Sequence, residues 1–133
     1  MGVEENVSLA TAFEEAYNAR DWDAVRNTLA ESVVIYDPAE PEPLRGPVAV
    51  LGMLQGSAAF FPTSRIESVH ALSQGDRVCV ENVETGARKD SEAAYRIRTC
   101  YTFKVAGNVL SEIRFYYDAL DMMNQIGMAL GED

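Results

Sequence analysis

Histidine and cysteine are nearly missing from this chain, and with them go the commonest metal and nucleophile chemistries. His70 is the one histidine, and Cys79 and Cys100 are the only cysteines in 133 residues. A lone strand histidine reads as a packed or surface residue before it reads as a base. The cysteines lack Cys-x-x-Cys spacing, so a structural zinc site is not expected; they read as reduced and buried. Basic residues are scarce too: 11 Lys and Arg stand against 21 Asp and Glu, a net charge of −10. Such a surface repels phosphate, so neither nucleic acid nor an anionic membrane is an expected partner. No run of about 18 apolar residues exists to span a bilayer. The opening Met1-Gly2-Val3-Glu4-Glu5 is acidic, has no apolar signal-peptide core, and is not followed by a myristoylation pattern. The expectation is a cytoplasmic protein. There is no Gly-rich phosphate loop, Ser/His/Asp set or metal cluster, so no cofactor is expected.

What is present is a core's worth of apolar residues, 47% of the chain, in a length suited to one domain over residues 1–133. No repeat, linker or low-complexity tract divides it. Leu9, Phe13, Ala16 and Tyr17 share one face of a predicted helix over residues 8–20, with Glu14, Glu15 and Asn18 elsewhere. Asp21 is placed to cap a second short helix that buries Trp22, Val25 and Leu29. The β-branched run Val33-Val34-Ile35-Tyr36 predicts a strand closing at Asp37 before Pro38. Residues 38–46 hold three prolines and a glycine and read as loop. Pro47 suits the first turn of a third helix that turns Val48, Leu51, Leu54 and Ala58 inward.

From residue 65 the period changes from helical to alternating. Strands are expected over 65–73, 77–85, about 95–105 and 109–117. The third of these puts Tyr95, Ile97, Thr99, Tyr101, Phe103 and Val105 on one face; Arg96, Arg98 and Cys100 take the other. A closing helix is expected over 119–130. The order is ααβαββββα, an α+β fold: a curved antiparallel sheet wraps around helices as a cone with an internal pocket.

Two strings carry a family likeness. The first is Asn18-Ala19-Arg20-Asp21-Trp22-Asp23, continuing through Tyr36-Asp37-Pro38, Glu42-Pro43 and Arg45-Gly46. The second is Phe115-Tyr116-Tyr117-Asp118 followed by Gln125-Ile126-Gly127. Together with the element order, they resemble the nuclear transport factor 2-like superfamily over nearly the whole chain, especially its SnoaL-like and ketosteroid-isomerase-like branches. That fold hosts enzymes, binders and association modules, so the likeness alone names no reaction.

The resemblance implies three catalytic candidates. Asp37 matches the isomerases' general base, which needs a pKa raised by partial burial; otherwise it simply forms a turn before Pro38. Asp118 matches the acid/base of SnoaL-like polyketide cyclases, and also has the position of an ordinary helix N-cap. Tyr17 offers a hydroxyl one helical turn beyond Phe13, which stands where the isomerases carry a tyrosine; the protonated-Asp position falls on Thr99 or Cys100. Phe13, Trp22, Met53, Phe60, Thr99, Tyr101 and Phe115 are the expected ligand contacts. Limonene-epoxide hydrolases share the fold, but their Arg-x-Asp pair is replaced by Asn82-Val83-Glu84 and a further Asp by Phe115.

The expected function is cofactor-independent acid/base chemistry, isomerisation or aldol-type cyclisation, on a small hydrophobic carbonyl compound. The alternatives are a non-catalytic hydrophobic-ligand binder and a dimerisation module. A homodimer is implied by the resemblance in each case.

Overall fold

The computed structural model describes residues 2–128. Helices α1 (Val3–Ala19) and α2 (Trp22–Asn27) lead into strand β1 (Leu29–Tyr36), a short β2 (Leu44–Arg45) and helix α3 (Pro47–Phe60). Four long strands follow, β3 (Arg65–Gln74), β4 (Arg77–Ala87), β5 (Ala94–Ala106) and β6 (Val109–Tyr117), and then α4 (Ala119–Gln125). α4 ends at Gln125, short of the expected helix over 119–130, whose last residues Ala129 and Leu130 lie outside the described residues. Among the described residues no helix is long and apolar enough to cross a membrane.

The strands form one curved, unclosed sheet in the order β2-β1-β6-β5-β4-β3. Strands β3 to β6 pair antiparallel, as the alternation predicts. The inward positions of β5 meet Phe13 of α1, whose ring packs edge-on against Phe103 at 5.6 Å. Phe103, Leu110, Ile113, Val33, Val50 and Val78 form the centre of the core.

Four expectations need correction. β1 lies parallel to β6, so the sheet is mixed; the first and last strands meet here, and local periodicity carries no signal for that pairing. Residues 44–45, expected as loop, pair with Val34 and Ile35 and make β2. On α3 it is Val50, not Val48, that turns inward: Val48 is 87% exposed and Val50 fully buried. Cys79 and Cys100 are only half-buried, because both stand on the strand parity turned away from the helices. Their sulfurs lie 3.2 Å apart. Partial burial and the Cys79 thiol push Cys100 up to about 11, so Cys100 remains a thiol near neutral pH.

The ends of α1 fix the mouth of the cone. Asn18 bonds both backbone groups of Ile66, each at 2.8 Å, as a neighbouring strand would. Arg20 adopts a left-handed conformation (φ 56°). Its guanidinium bonds the carbonyls of Phe61, Pro62 and Ser64 and the Ser64 hydroxyl, tying down the α3–β3 connection. Asp21 accepts from the Ala24 amide and caps α2. The Asn-Ala-Arg-Asp string is therefore a structural clamp.

Gly86 is tightly packed within the sheet. It pairs with Tyr95 on β5, and a Cβ there would lie 2.9 Å from the Tyr95 ring and 3.1 Å from Ser64 Cα. Gly86→Ala is expected to cost about 1–3 kcal/mol through overpacking. Urea denaturation measures this, and an unchanged midpoint would contradict the packing described.

Candidate functional site

The wide end of the cone holds a cavity of about 690 Å³. α1 contributes Phe13 and Tyr17, the β1–β2 loop Asp37 and Glu40, α3 Met53 and Phe60, β4 Glu84, β5 Tyr101, β6 Phe115 and Tyr117, and the α4 region several methionines. Apolar and aromatic side chains dominate the wall, as in small-molecule sites generally. The charged residues on the wall are all acidic: Asp37, Glu40 and Glu84.

Asp37 follows the last residue of β1. Its Oδ1 accepts from the Ala39 amide at 2.8 Å, the turn expected before Pro38, and from the Tyr117 hydroxyl at 2.8 Å. Among the described residues Oδ2 has no protein partner. Burial first, then the Asp37 charge, pushes the Tyr117 phenol well above its ordinary range, so it stays a donor.

Glu84 sits deeper. Tyr95 donates to its Oε2 at 2.6 Å and Tyr101 to its Oε1 at 2.7 Å. Burial raises the Glu84 carboxyl above its ordinary value; the tyrosine bonds pull it back in part, and the charge of Asp37 raises it further. No Lys or Arg forms an ion pair with Asp37 or Glu84 among the described residues.

Behind this wall is a further acid. Glu14 is 3% exposed and accepts from Asn82 Nδ2 at 3.0 Å. Burial pushes Glu14 up to about 7. It falls in the stripe Ala10, Phe13, Glu14 and Tyr17 at helical spacing, not on the outer face to which its charge assigned it.

Of the expected site residues, the fold brings Asp37, Tyr17, Phe13, Met53, Phe60, Tyr101 and Phe115 to the cavity. Tyr17 places its hydroxyl 3.4 Å from Ser64 Oγ. Three expectations are corrected. Asp118 is exposed, lies off the cavity wall and accepts from the Asp121 amide, because β6 alternation turns Tyr117 inward and Asp118 outward. Trp22 stands edge-on against Tyr17, outside the cavity wall. Thr99 is buried and lies off the cavity wall. Arg96, Arg98 and His70 are exposed.

Glu84, Tyr95 and Tyr117 were missed as site residues. The signal was present on β4: inward positions Val78 and Val80 are apolar, then Asn82 and Glu84 turn polar where the strand reaches the cavity. Among the described residues no three His, Cys, Asp or Glu side chains converge as metal ligands would.

A SnoaL-like domain profile matches residues 10–113. The chain belongs to the SnoaL-like family. No curated protein matches the sequence. Solved structures give the same fold at low identity. A proposed polyketide cyclase of Xanthomonas campestris pv. campestris is 22% identical with a TM-score of 0.86, covering 92% of this chain and 97% of its own. A Catenulispora acidiphila protein with a ketosteroid isomerase-like fold, solved with trimethylamine, is 18% identical with a TM-score of 0.85, covering 94% and 96%. An epoxide hydrolase of M. tuberculosis resembling the limonene-epoxide enzymes is 19% identical with a TM-score of 0.79, covering 93% and 90%. At these identities the SnoaL-like fold is what is shared.

Glu14 sets a pH dependence on stability. Its folded pKa of about 7 lies above the ordinary 4.5, so the folded chain holds this proton more tightly than the unfolded one. Stability therefore falls as pH rises from about 4.5 to about 7, by roughly 3 kcal/mol from this group. Glu84 adds a slope of the same sign. Glu14→Gln keeps the bond with Asn82 and removes the charge, so urea unfolding across this range should show a flatter profile; an unchanged slope would contradict the burial of a titrating Glu14.

Proposed function

We propose that this protein is a cofactor-independent enzyme that moves a proton next to the carbonyl of a small hydrophobic compound, by isomerisation or aldol-type closure. The observation that carries it is Asp37. Its Oδ1 is held by the Ala39 amide and the Tyr117 hydroxyl, which leaves Oδ2 free at an apolar cavity of about 690 Å³. A carboxylate in that setting is positioned to take a proton from carbon once substrate excludes water.

Tyr117 has a matching role. As Asp37 is neutralised by the incoming proton, negative charge appears on the substrate oxygen. A phenol held as a donor can follow that charge and stabilise the enolate. Return of the proton from Asp37 to another carbon completes an isomerisation; attack of the enolate on a second carbonyl of the same molecule, with the proton passing from Asp37 to the new alkoxide, completes an aldol closure. Asp118 has no part, since its carboxylate is spent on the α4 cap.

The test is exchange of α-protons in deuterated water, followed by NMR on simple aryl ketones. Asp37→Asn is expected to slow enzyme-dependent exchange about 100-fold or more, the low end of general-base contributions. Tyr117→Phe should reduce it by a smaller factor, and Asp118→Asn should leave it unchanged. Exchange that is indifferent to Asp37→Asn would overturn the proposal.

A further inference from the structure

The electrostatics of the cavity point to the kind of molecule it accepts. Among the described residues its charged wall residues are Asp37, Glu40 and Glu84, all acidic. Arg20 is the cation whose charge acts on Glu84, and it is not part of the wall. The Arg20 guanidinium is committed to the carbonyls of Phe61, Pro62 and Ser64. The phenols that bond Glu84 and Asp37 are neutral donors and do not cancel the charge.

Around these carboxylates the wall is aromatic: Phe13, Tyr17, Phe60, Tyr101, Phe115 and Tyr117 all reach it. Ring faces carry negative quadrupole and attract cations. The protein as a whole bears −10, which concentrates cations and repels anions at the mouth. A neutral apolar ligand would strip water from the acids and give nothing back. An anion would meet only like charge. A hydrophobic cation answers the carboxylates and the rings together.

We infer that the cavity takes a hydrophobic ligand carrying a positively charged nitrogen, a substituted ammonium that lies against Glu84 and the surrounding rings. This rests on the reading of the cavity as a proton-transfer site, and it narrows the substrate to an amine-bearing carbonyl compound. Glu84 is then a binding residue for the ammonium, Asp37 the base at the carbon, and Glu40 part of the acidic rim. The residues are not those of a phosphate or carboxylate site, where Arg or Lys would be expected on the wall.

Two ketones of nearly equal shape make the test: (4-acetylphenyl)trimethylammonium and 4-tert-butylacetophenone. They differ in a charged nitrogen against a neutral carbon, and both offer exchangeable α-protons. Affinities for the wild-type protein are measured by NMR titration in low-salt buffer. The ammonium ketone is expected to bind at least tenfold more tightly than its neutral twin. Glu84→Gln should erase most of that preference, while thermal unfolding of the variant verifies the fold. Equal or tighter binding of the neutral ketone to the wild type would overturn the inference, whatever the variant does. The same samples report α-proton exchange separately. Exchange of the neutral ketone without cation preference would sink the ligand class and leave the proton-transfer reading standing; cation preference without exchange of either ketone would do the reverse.

Discussion

Both oxygens of Glu84 are held by phenols of the neighbouring strand, and the working end of the molecule depends on that arrangement. Tyr95 and Tyr101 stand on one parity of β5, and Glu84 reaches them from β4 through an unbroken antiparallel register. A one-residue slip of β4 against β5 would put Glu84 and the two tyrosines on opposite faces. The tight packing of Gly86 against Tyr95 holds that register at its end. A carboxylate facing an apolar cavity is costly, and hydrogen bonds from neutral donors make it tolerable without cancelling its charge.

The rest of the site is assembled from the edges of the same sheet. β1 runs parallel to β6 and delivers Asp37 beside Tyr117, residues 80 positions apart in the chain. The α1 clamp, Asn18 on Ile66 and Arg20 on the α3–β3 connection, keeps the cone open at this end. The acid that lines the mouth and the acid that lines the interior thus come from different ends of the sheet, and among the described residues neither forms an ion pair with a Lys or Arg.

Much of the fold was legible because alternation is a local signal. The β5 run from Tyr95 to Val105 announces its inward face directly, and Val109–Tyr117 was bounded correctly. Asp21 and Pro47 mark helix starts through capping and fixed φ. The site was less legible, because a polar residue on an inward position reads as a break in the pattern. Glu14 was assigned by its charge, although its spacing puts it with Phe13; Glu84 was read only against the epoxide hydrolases' Arg-x-Asp pair, although its spacing puts it with Val80. Asp118 attracted attention through family likeness, yet the same alternation turns it outward. The β1–β6 pairing joins distant segments, and no window of sequence contains it.

The most direct test of an unneutralised acidic cavity is the titration of the Glu84 carboxyl in the ligand-free protein. Carbon-detected NMR follows the side-chain carboxyl signals, with Glu84→Gln giving the assignment. A midpoint above the ordinary glutamate value of 4.5 is expected, since burial and the Asp37 charge both disfavour ionisation. A midpoint at or below that value would mean that a cation or water compensates Glu84, and the site described here would not exist in solution.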